Sequence, residues 1–581
     1  MPAARLLATT FSVLLLSAAP AFAGDPIMPL SDVHSGMRCT GYSVVRGTDI
    51  ASFDVDIDDV IDGDASGEGP RLLVRVSGPA VDATGIGPGF SGSPIYCRGR
   101  DGVERNAGAI SESVGEYGGH EALATPIQAV LGVPLDVPRH QGRSRAARTR
   151  ERAVAARARP LATPLTVSGL SPALGSALSA AARRHGRTVL AAPAGPLGSF
   201  PPQPMRPGAA VGVSYSSGDI QVGAIGTVAY TDGDAVWAFG HPFNDAGARR
   251  LFLQDAYVYK VISNPVGIPD TANTYKLASL GHTLGIVTDD ADDAIAGRTG
   301  VLPDTIPVRI YANDLDTGAH QVTGIRVADE RAVGLPEGGS PAAFVAPLAV
   351  TDAASSLLSS APGRLTGDVC VQITFAALRR PTRFCNRYVS SGPADPDFSG
   401  TADTVAARAS SDVFEALSDI DAYQGRPPEV SEIAVRMDLA RGEQRAFLRS
   451  VRLPHRVRAG HRVRVRATLR RVRGGTIHRS YRVRIPGWLG HGRHVLRFTG
   501  ADADTADDSL LGAIVIDSGG STSGDPGPAS IKALARRITR IGRYDGVHLH
   551  AAGARMRGFR DPRLRISGSA AATVRVQRSK R

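Results

Sequence analysis

The chain has 581 residues, which is too long for a single hydrophobic core and implies several domains. Hydrophobic residues make up 42% and charged residues 21%, so global disorder is excluded; frequent Gly (66) and Pro (39) with only 5% aromatics favour turn-rich β structure over long helical bundles. The net charge of +12 rests almost wholly on arginine, since only four of the 67 basic residues are lysine, and it indicates a tendency toward acidic polymers rather than a fold.

The N-terminus reads as an export signal. Arg5 supplies the positive charge, residues 6–19 an apolar core too short to span a bilayer comfortably, and Ala21-Phe22-Ala23 the small-x-small cleavage pattern. Residues 1–23 are therefore expected to be a signal peptide, with an uncleaved anchor as the alternative. No later stretch is long and apolar enough to span a membrane. The mature protein is expected to be secreted, extracellular or associated with the cell envelope.

Residues 30–138 form a first β unit. The stretch 53–58 alternates apolar and acidic residues as a half-buried strand does, and 71–76 is another strand, closed by Gly78-Pro79. Residues 139–160 carry Arg143, Arg145, Arg148, Arg150, Arg152, Arg157 and Arg159 without an apolar face, which predicts an exposed, proteolysis-prone basic linker. A second unit spans 161–390, with a hairpin signal where 223–230 runs through Asp232-Gly233-Asp234 into 235–239. Residues 391–427 read as a connector. From 428 to 518 the pattern is all-β: 462–466 and 481–485 alternate arginine with apolar residues, as in an immunoglobulin-like β-sandwich with one solvated face. A small α+β segment, 529–581, follows, with one amphipathic helix over 531–541.

The four cysteines of an exported chain suggest two disulfides, and locality favours Cys39–Cys97 and Cys370–Cys385. No metal site is expected, because CxxC and HxxxH spacings are absent. The acidic runs Asp54, Asp56, Asp58, Asp59, Asp62, Asp64 and Asp289, Asp290, Asp292, Asp293 do not fit a calcium loop and read as solvated faces. The arginine ladders over 456–484 lack interleaved aromatics, which argues against nucleic acid; they read first as a solvated sheet face, with an anionic cell-envelope polymer as a candidate partner.

The sharpest local signal is Gly87-Pro88-Gly89-Phe90-Ser91-Gly92-Ser93-Pro94-Ile95. A serine on a tight turn between glycines is placed to act as a nucleophile, with the N–H groups of Gly89 and Ser91 able to form an oxyanion hole. Serine needs a base. His241, fenced by Gly240 and Pro242 at a predicted strand end, is the first candidate, His282 the reserve and His120 a weaker one.

Over 30–390 the chain resembles the stage IV sporulation protein B peptidase family, serine peptidases similar to the trypsin-like double β-barrel. The matching stretches are Gly47-Thr48 with Phe53-Asp54-Val55-Asp56, Thr84-Gly85-Ile86 with Gly89-Phe90-Ser91-Gly92-Ser93-Pro94-Ile95-Tyr96, Val222-Gly223-Ala224-Ile225-Gly226-Thr227-Val228, Phe239-Gly240-His241-Pro242-Phe243, Tyr275-Lys276-Leu277-Ala278-Ser279 and Gly297-Arg298-Thr299-Gly300. The resemblance implies Ser91 as nucleophile and His241 as general base. The order is permuted, since here the serine precedes the histidine, and a triad is defined by geometry rather than chain order. Where the family has an acidic residue before a proline, this chain has Gly78-Pro79. Asp82 is the nearest acid for the third position, with Asp54 and Asp56 as alternatives. No counterpart of the family's PDZ-type domain is evident. The resulting expectation is a mainly β chain, a double β-barrel followed by a sandwich, acting as a cofactor-independent serine endopeptidase. Its substrate would be protein or peptide, with its own basic linker as one candidate. The alternative is a non-catalytic envelope scaffold that binds a polyanion.

Overall fold

Alternating apolar residues build most of this protein into strands, and the mainly β expectation holds: 54% strand against 14% helix. The structure is a computed structural model that describes residues 24–61, 69–114, 119–133, 135, 158–160, 164–184, 187–193, 200–263, 274–334, 339–358, 364–390, 404–500, 527–541 and 546–577. The predicted signal peptide and residues 139–157 of the basic linker lie outside the described residues.

The first sheet contains β1 (Arg38–Arg46), β2 (Asp49–Ile61), β3 (Arg71–Ser77), β4 (Pro94–Arg98), β5 (Glu104–Val114) and β6 (Glu121–Pro126). Its order is β4-β1-β2-β3-β6-β5, and pairing of β5 back to β4 closes a six-stranded antiparallel barrel. Strand β2 shows why: Phe53, Val55 and Ile57 point into the core while Asp54 and Asp56 stay exposed. The Cys39–Cys97 disulfide joins directly opposed residues of β1 and β4. The end of the expected linker is itself a strand, β7 (Ala158–Pro160), paired to β5.

The second sheet contains β8 (Leu165–Ser168), β9 (Val189–Ala192), β10 (Ala210–Ser214), β12 (Gln221–Asp232), β13 (Ala235–Ala238), β14 (Gly247–Ser263), β15 (Thr274–Ala291) and β16 (Ala294–Thr299), with the short β11 (Ser216–Gly218) leaving it for a third sheet. The ring β10-β14-β15-β16-β13-β12 closes through β12–β10, and β12–β13 is the expected hairpin. The two rings meet along a seam. Gly47 and Val258 exchange backbone hydrogen bonds of 2.7 and 3.0 Å, Asn106 Nδ2 donates to Ala229 O at 2.9 Å, and Ala109, Ile127, Ala229 and Tyr230 share a core.

Beyond residue 300 the structure departs from the sequence-based division. A third sheet runs β11-β18-β17-β21-β19-β20, formed with β17 (Thr305–Asp314), β18 (His320–Ala328), β19 (Leu365–Phe375), β20 (Thr382–Ser390) and β21 (Val430–Arg441). Strand β21, expected to open the sandwich, instead pairs in parallel with β17. The helices Pro341–Leu357 and Thr404–Asp421 cover this sheet, so much of the expected connector is a packed helix. The Cys370–Cys385 disulfide links opposed residues of β19 and β20.

The sandwich itself has two sheets: β25-β24-β22-β29 and β23-β30-β26-β27-β28. They are built from β22 (Arg445–Arg452), β23 (Arg456–Arg458), β24 (Arg462–Arg471), β25 (Thr476–Arg484), β26 (Gly492–Thr499), β27 (Gly546–Ala551), β28 (Ala554–Arg560), β29 (Arg565–Ser567) and β30 (Ser569–Gln577). The C-terminal strands are therefore half of the sandwich, while the helix Ile531–Ile538 buries Leu534 and Ile538 in the core of the third sheet. No helix among the described residues is long and apolar enough to cross a membrane.

Candidate functional site

The serine loop sits on the seam. Gly89 (φ 96°) and Gly92 (φ 88°) take the left-handed conformation that only glycine adopts freely, and a Cβ at Gly92 would collide with Thr227 O and Phe239 N of the second barrel. Backbone bonds fix the turn: Phe90 N donates to Gly87 O at 2.9 Å, Gly92 N to Ile110 O at 2.7 Å and Ser93 N to Phe90 O at 2.9 Å. The amides of Gly89 and Ser91 donate to no acceptor among the described residues. Their direction is nevertheless set. In a trans peptide the C=O and the following N–H point opposite ways. Pro88 O is held by Lys276 N at 2.9 Å, and Phe90 O is held by Ser93 N and by Ser93 Oγ at 2.6 Å. Both carbonyls are held by these donors, so each N–H points away from the donor that holds the carbonyl of its own peptide.

His241 is carried by the end of β13. Phe239 (φ 71°) and Gly240 (φ 69°) form two successive left-handed steps before it, a strained conformation for a bulky residue such as Phe239. Thr125 Oγ1 of the first barrel donates to Gly240 O at 2.7 Å, and a Cβ on Gly240 would stand 3.2 Å from Ile110 O. The barrels thus touch at the residue before the histidine. His241 Nδ1 lies 2.7 Å from Pro242 O. A carbonyl only accepts, so Nδ1 carries a proton, which in the neutral ring leaves the lone pair on Nε2, the tautomer a general base needs.

The loop after His241 depends on Asp290. Its carboxylate, 1% exposed, accepts from Phe243 N at 2.6 Å, Asn244 N at 2.8 Å and Ala246 N at 3.4 Å. Arg249 stands 3.7 Å from it and makes a two-pronged pair with Glu330, both bonds 2.8 Å. Asp290 was expected on a solvated face. The correction is that it is buried, because three backbone donors and a neighbouring guanidinium replace its water.

Ser91 and His241 come to opposite lips of the same seam. Thr227 N donates to Ser91 O at 2.8 Å, and Phe239 N donates to Thr227 O at 3.2 Å, so the single residue Thr227 stands between Ser91 and Phe239, two residues before His241. Ser91 is fully buried, His241 is 6% exposed, and Ser91 Oγ has no hydrogen-bond partner among the described residues. The Ser91–His241 hydrogen bond is therefore not formed. A buried hydroxyl without a partner costs about 1–3 kcal/mol, which the surrounding packing must offset.

Of the proposed acids, Asp82 is exposed and accepts from Gly78 N at 2.7 Å, closing its own turn; Asp54 and Asp56 point outward from β2. The orienting contact on the imidazole is the Pro242 carbonyl. His120 Nδ1 lies 3.3 Å from Val76 O, and His282 pairs through Nδ1 with the buried Asp255 at 3.0 Å, on the second barrel alone.

Behind the serine loop lies a cluster that sequence reasoning passed over. Lys276, 3% exposed, places Nζ 2.7 Å from Ser43 Oγ and 3.3 Å from Thr227 Oγ1, above the Phe90 ring. Burial without a carboxylate partner pushes its amine down to about 7. Thr227 Oγ1 donates to Gly89 O at 3.0 Å, and Ser93 Oγ lies 2.9 Å from Ser43 Oγ. The available signal was one of only four lysines lying inside an apolar strand, in a stretch that also carried the family resemblance.

No family model, no curated protein and no solved structure matches this chain. The chemistry of the seam therefore stands on its own geometry. Among the described residues no group of His, Cys, Asp and Glu side chains forms a metal cage. The seam holds a buried serine hydroxyl, an imidazole whose Nδ1 faces a carbonyl, and two amides without an acceptor among the described residues.

Proposed function

We propose that this chain is a serine endopeptidase working outside the cytoplasm, with Ser91 as nucleophile and His241 as general base. The observation that carries the reading is the pair of amides, Gly89 and Ser91, whose directions are locked by carbonyls held on their far side. His241 Nε2 takes the Ser91 proton as Oγ attacks the peptide carbonyl. The two amides stabilise the oxyanion, and the imidazolium returns the proton to the leaving amine. Water then attacks the acyl-enzyme with His241 again as base. The Pro242 carbonyl holds the imidazole in the role an acid would otherwise fill.

Ser91 must be uncovered for substrate to reach it. Two disulfides support an oxidising, non-cytoplasmic compartment; removal of residues 1–23 and secretion belong to this reading, as does the basic linker as a candidate substrate. Incubation of the purified chain with an unfolded protein substrate tests it. Fragments should accumulate with the native chain and not with Ser91→Ala or His241→Ala; equal cleavage by Ser91→Ala sinks the assignment.

A second reading, a polyanion-binding scaffold, is favoured by one observation on the sandwich. Arg452 stands opposite Arg466, Arg464 opposite Arg482 and Arg462 opposite Arg484, all exposed. Like charges directly across a sheet are destabilising unless an anion neutralises them. A polyphosphate column whose retention of the protein falls steeply with salt would support this role, and retention unchanged when Arg464 and Arg482 are replaced by Ser would remove it.

A further inference from the structure

Lys276 lies on β15 of the second barrel, yet its amine sits under the serine loop of the first. Three elements surround it. From β1 comes the Ser43 hydroxyl, from β12 the Thr227 hydroxyl, and from the serine loop the Phe90 ring, whose centroid is 4.4 Å from Nζ. No carboxylate and no second cation faces it among the described residues. The aliphatic stem packs on Gly89, where a Cβ would stand 2.9 Å from Lys276 Cβ, so this approach requires glycine there.

The protons of the cluster can be assigned. Thr227 gives its hydroxyl proton to Gly89 O, and Ser93 gives its own to Phe90 O. Lys276 Nζ donates to Ser43 Oγ at 2.7 Å and to Thr227 Oγ1 at 3.3 Å, and Ser43 Oγ in turn stands 2.9 Å from Ser93 Oγ and 3.1 Å from Thr227 Oγ1. The chain of bonds ends on the Gly89 and Phe90 carbonyls, while Lys276 N holds Pro88 O.

We propose that Lys276, through Ser43 and Thr227, is a positioning residue for the Ser91 loop, holding the Gly89 and Ser91 amides in their oxyanion-binding direction. The inference rests on the reading of Ser91 as a nucleophile, but half of its test does not.

The test uses the full chain with Lys276→Met, which keeps the apolar stem, and Ser43→Ala. Hydrogen exchange of the peptide covering 86–93 is followed in both. It should speed up about tenfold in each variant while the melting temperature at about pH 6 is unchanged or higher, since a buried charge has been removed. The rate at which a fluorophosphonate labels Ser91 at about pH 8 should fall at least about tenfold. Exchange and labelling both within about twofold of the native chain overturn the proposal. Loss of folding together with labelling overturns it in favour of a purely structural lysine. If the native chain is not labelled at Ser91, the peptidase reading fails and the exchange measurement alone decides whether Lys276 sets the loop.

Discussion

The two lips of the seam are held by different physics. Around Ser91 the anchors are neutral: hydroxyls of Ser43, Ser93 and Thr227, an amine whose charge is suppressed by burial, and backbone donors. Around His241 they are ions: the Asp290 carboxylate on three amides, with Arg249 and Glu330 behind it. The first arrangement tolerates the loss of one partner with a modest penalty, because each group is worth a single neutral hydrogen bond. The second does not, because removing one ion strands another in a low-dielectric interior.

That contrast can be broken or sharpened by measurement. Asp290→Ala strips the acceptors from the 243–246 loop and leaves Arg249 short of a partner, so chemical denaturation should show a loss of about 3–5 kcal/mol. Replacing Cys39 and Cys97 together by serine frees β1, which carries Ser43, from β4 beyond the serine loop, with an expected cost of about 2–4 kcal/mol in the same assay. Thr227→Val keeps shape and removes one hydroxyl, for about 1–3 kcal/mol. A Thr227→Val penalty as large as that of Asp290→Ala would erase the distinction between the lips.

The last effect is a pH slope. Lys276 is pushed down to about 7 in the folded chain and titrates near 10.4 when unfolded. Between those values the unfolded state binds the extra proton, so stability should rise as pH increases from about 7 to about 10 and gain nothing from this group below that window. Lys276→Met should flatten that part of the stability curve, as followed by denaturant midpoints across the range.

Some of this was legible in the sequence for definite reasons. Cys39 and Cys97 pair as locality suggested, because β1 and β4 are neighbours in a small closed barrel. The turn at Ser91 announced itself through Gly89 and Gly92, whose left-handed backbone leaves a mark that side-chain context does not hide. The helix Pro341–Leu357 was missed because it is apolar on nearly every side and shows no amphipathic stripe, although Ser340 caps it and Pro341 opens it in the usual way. Strand β21 was given to the sandwich because alternation reveals that a strand has a buried face, not which sheet it joins. Asp290 was read as a surface residue because its three amide donors come from a loop more than forty residues earlier in the chain, and Lys276 drew no reading of its own because a buried amine and a solvated one look alike until the strands are in place.

The central claim is that Ser91 is the reactive hydroxyl. Exposure of the full chain to a fluorophosphonate, followed by mass-spectrometric mapping of the adduct, tests it most directly. One adduct on Ser91 is predicted, absent from Ser91→Ala and strongly slowed in His241→Ala. An adduct on a different residue, or none on Ser91 while the protein is folded, would contradict it.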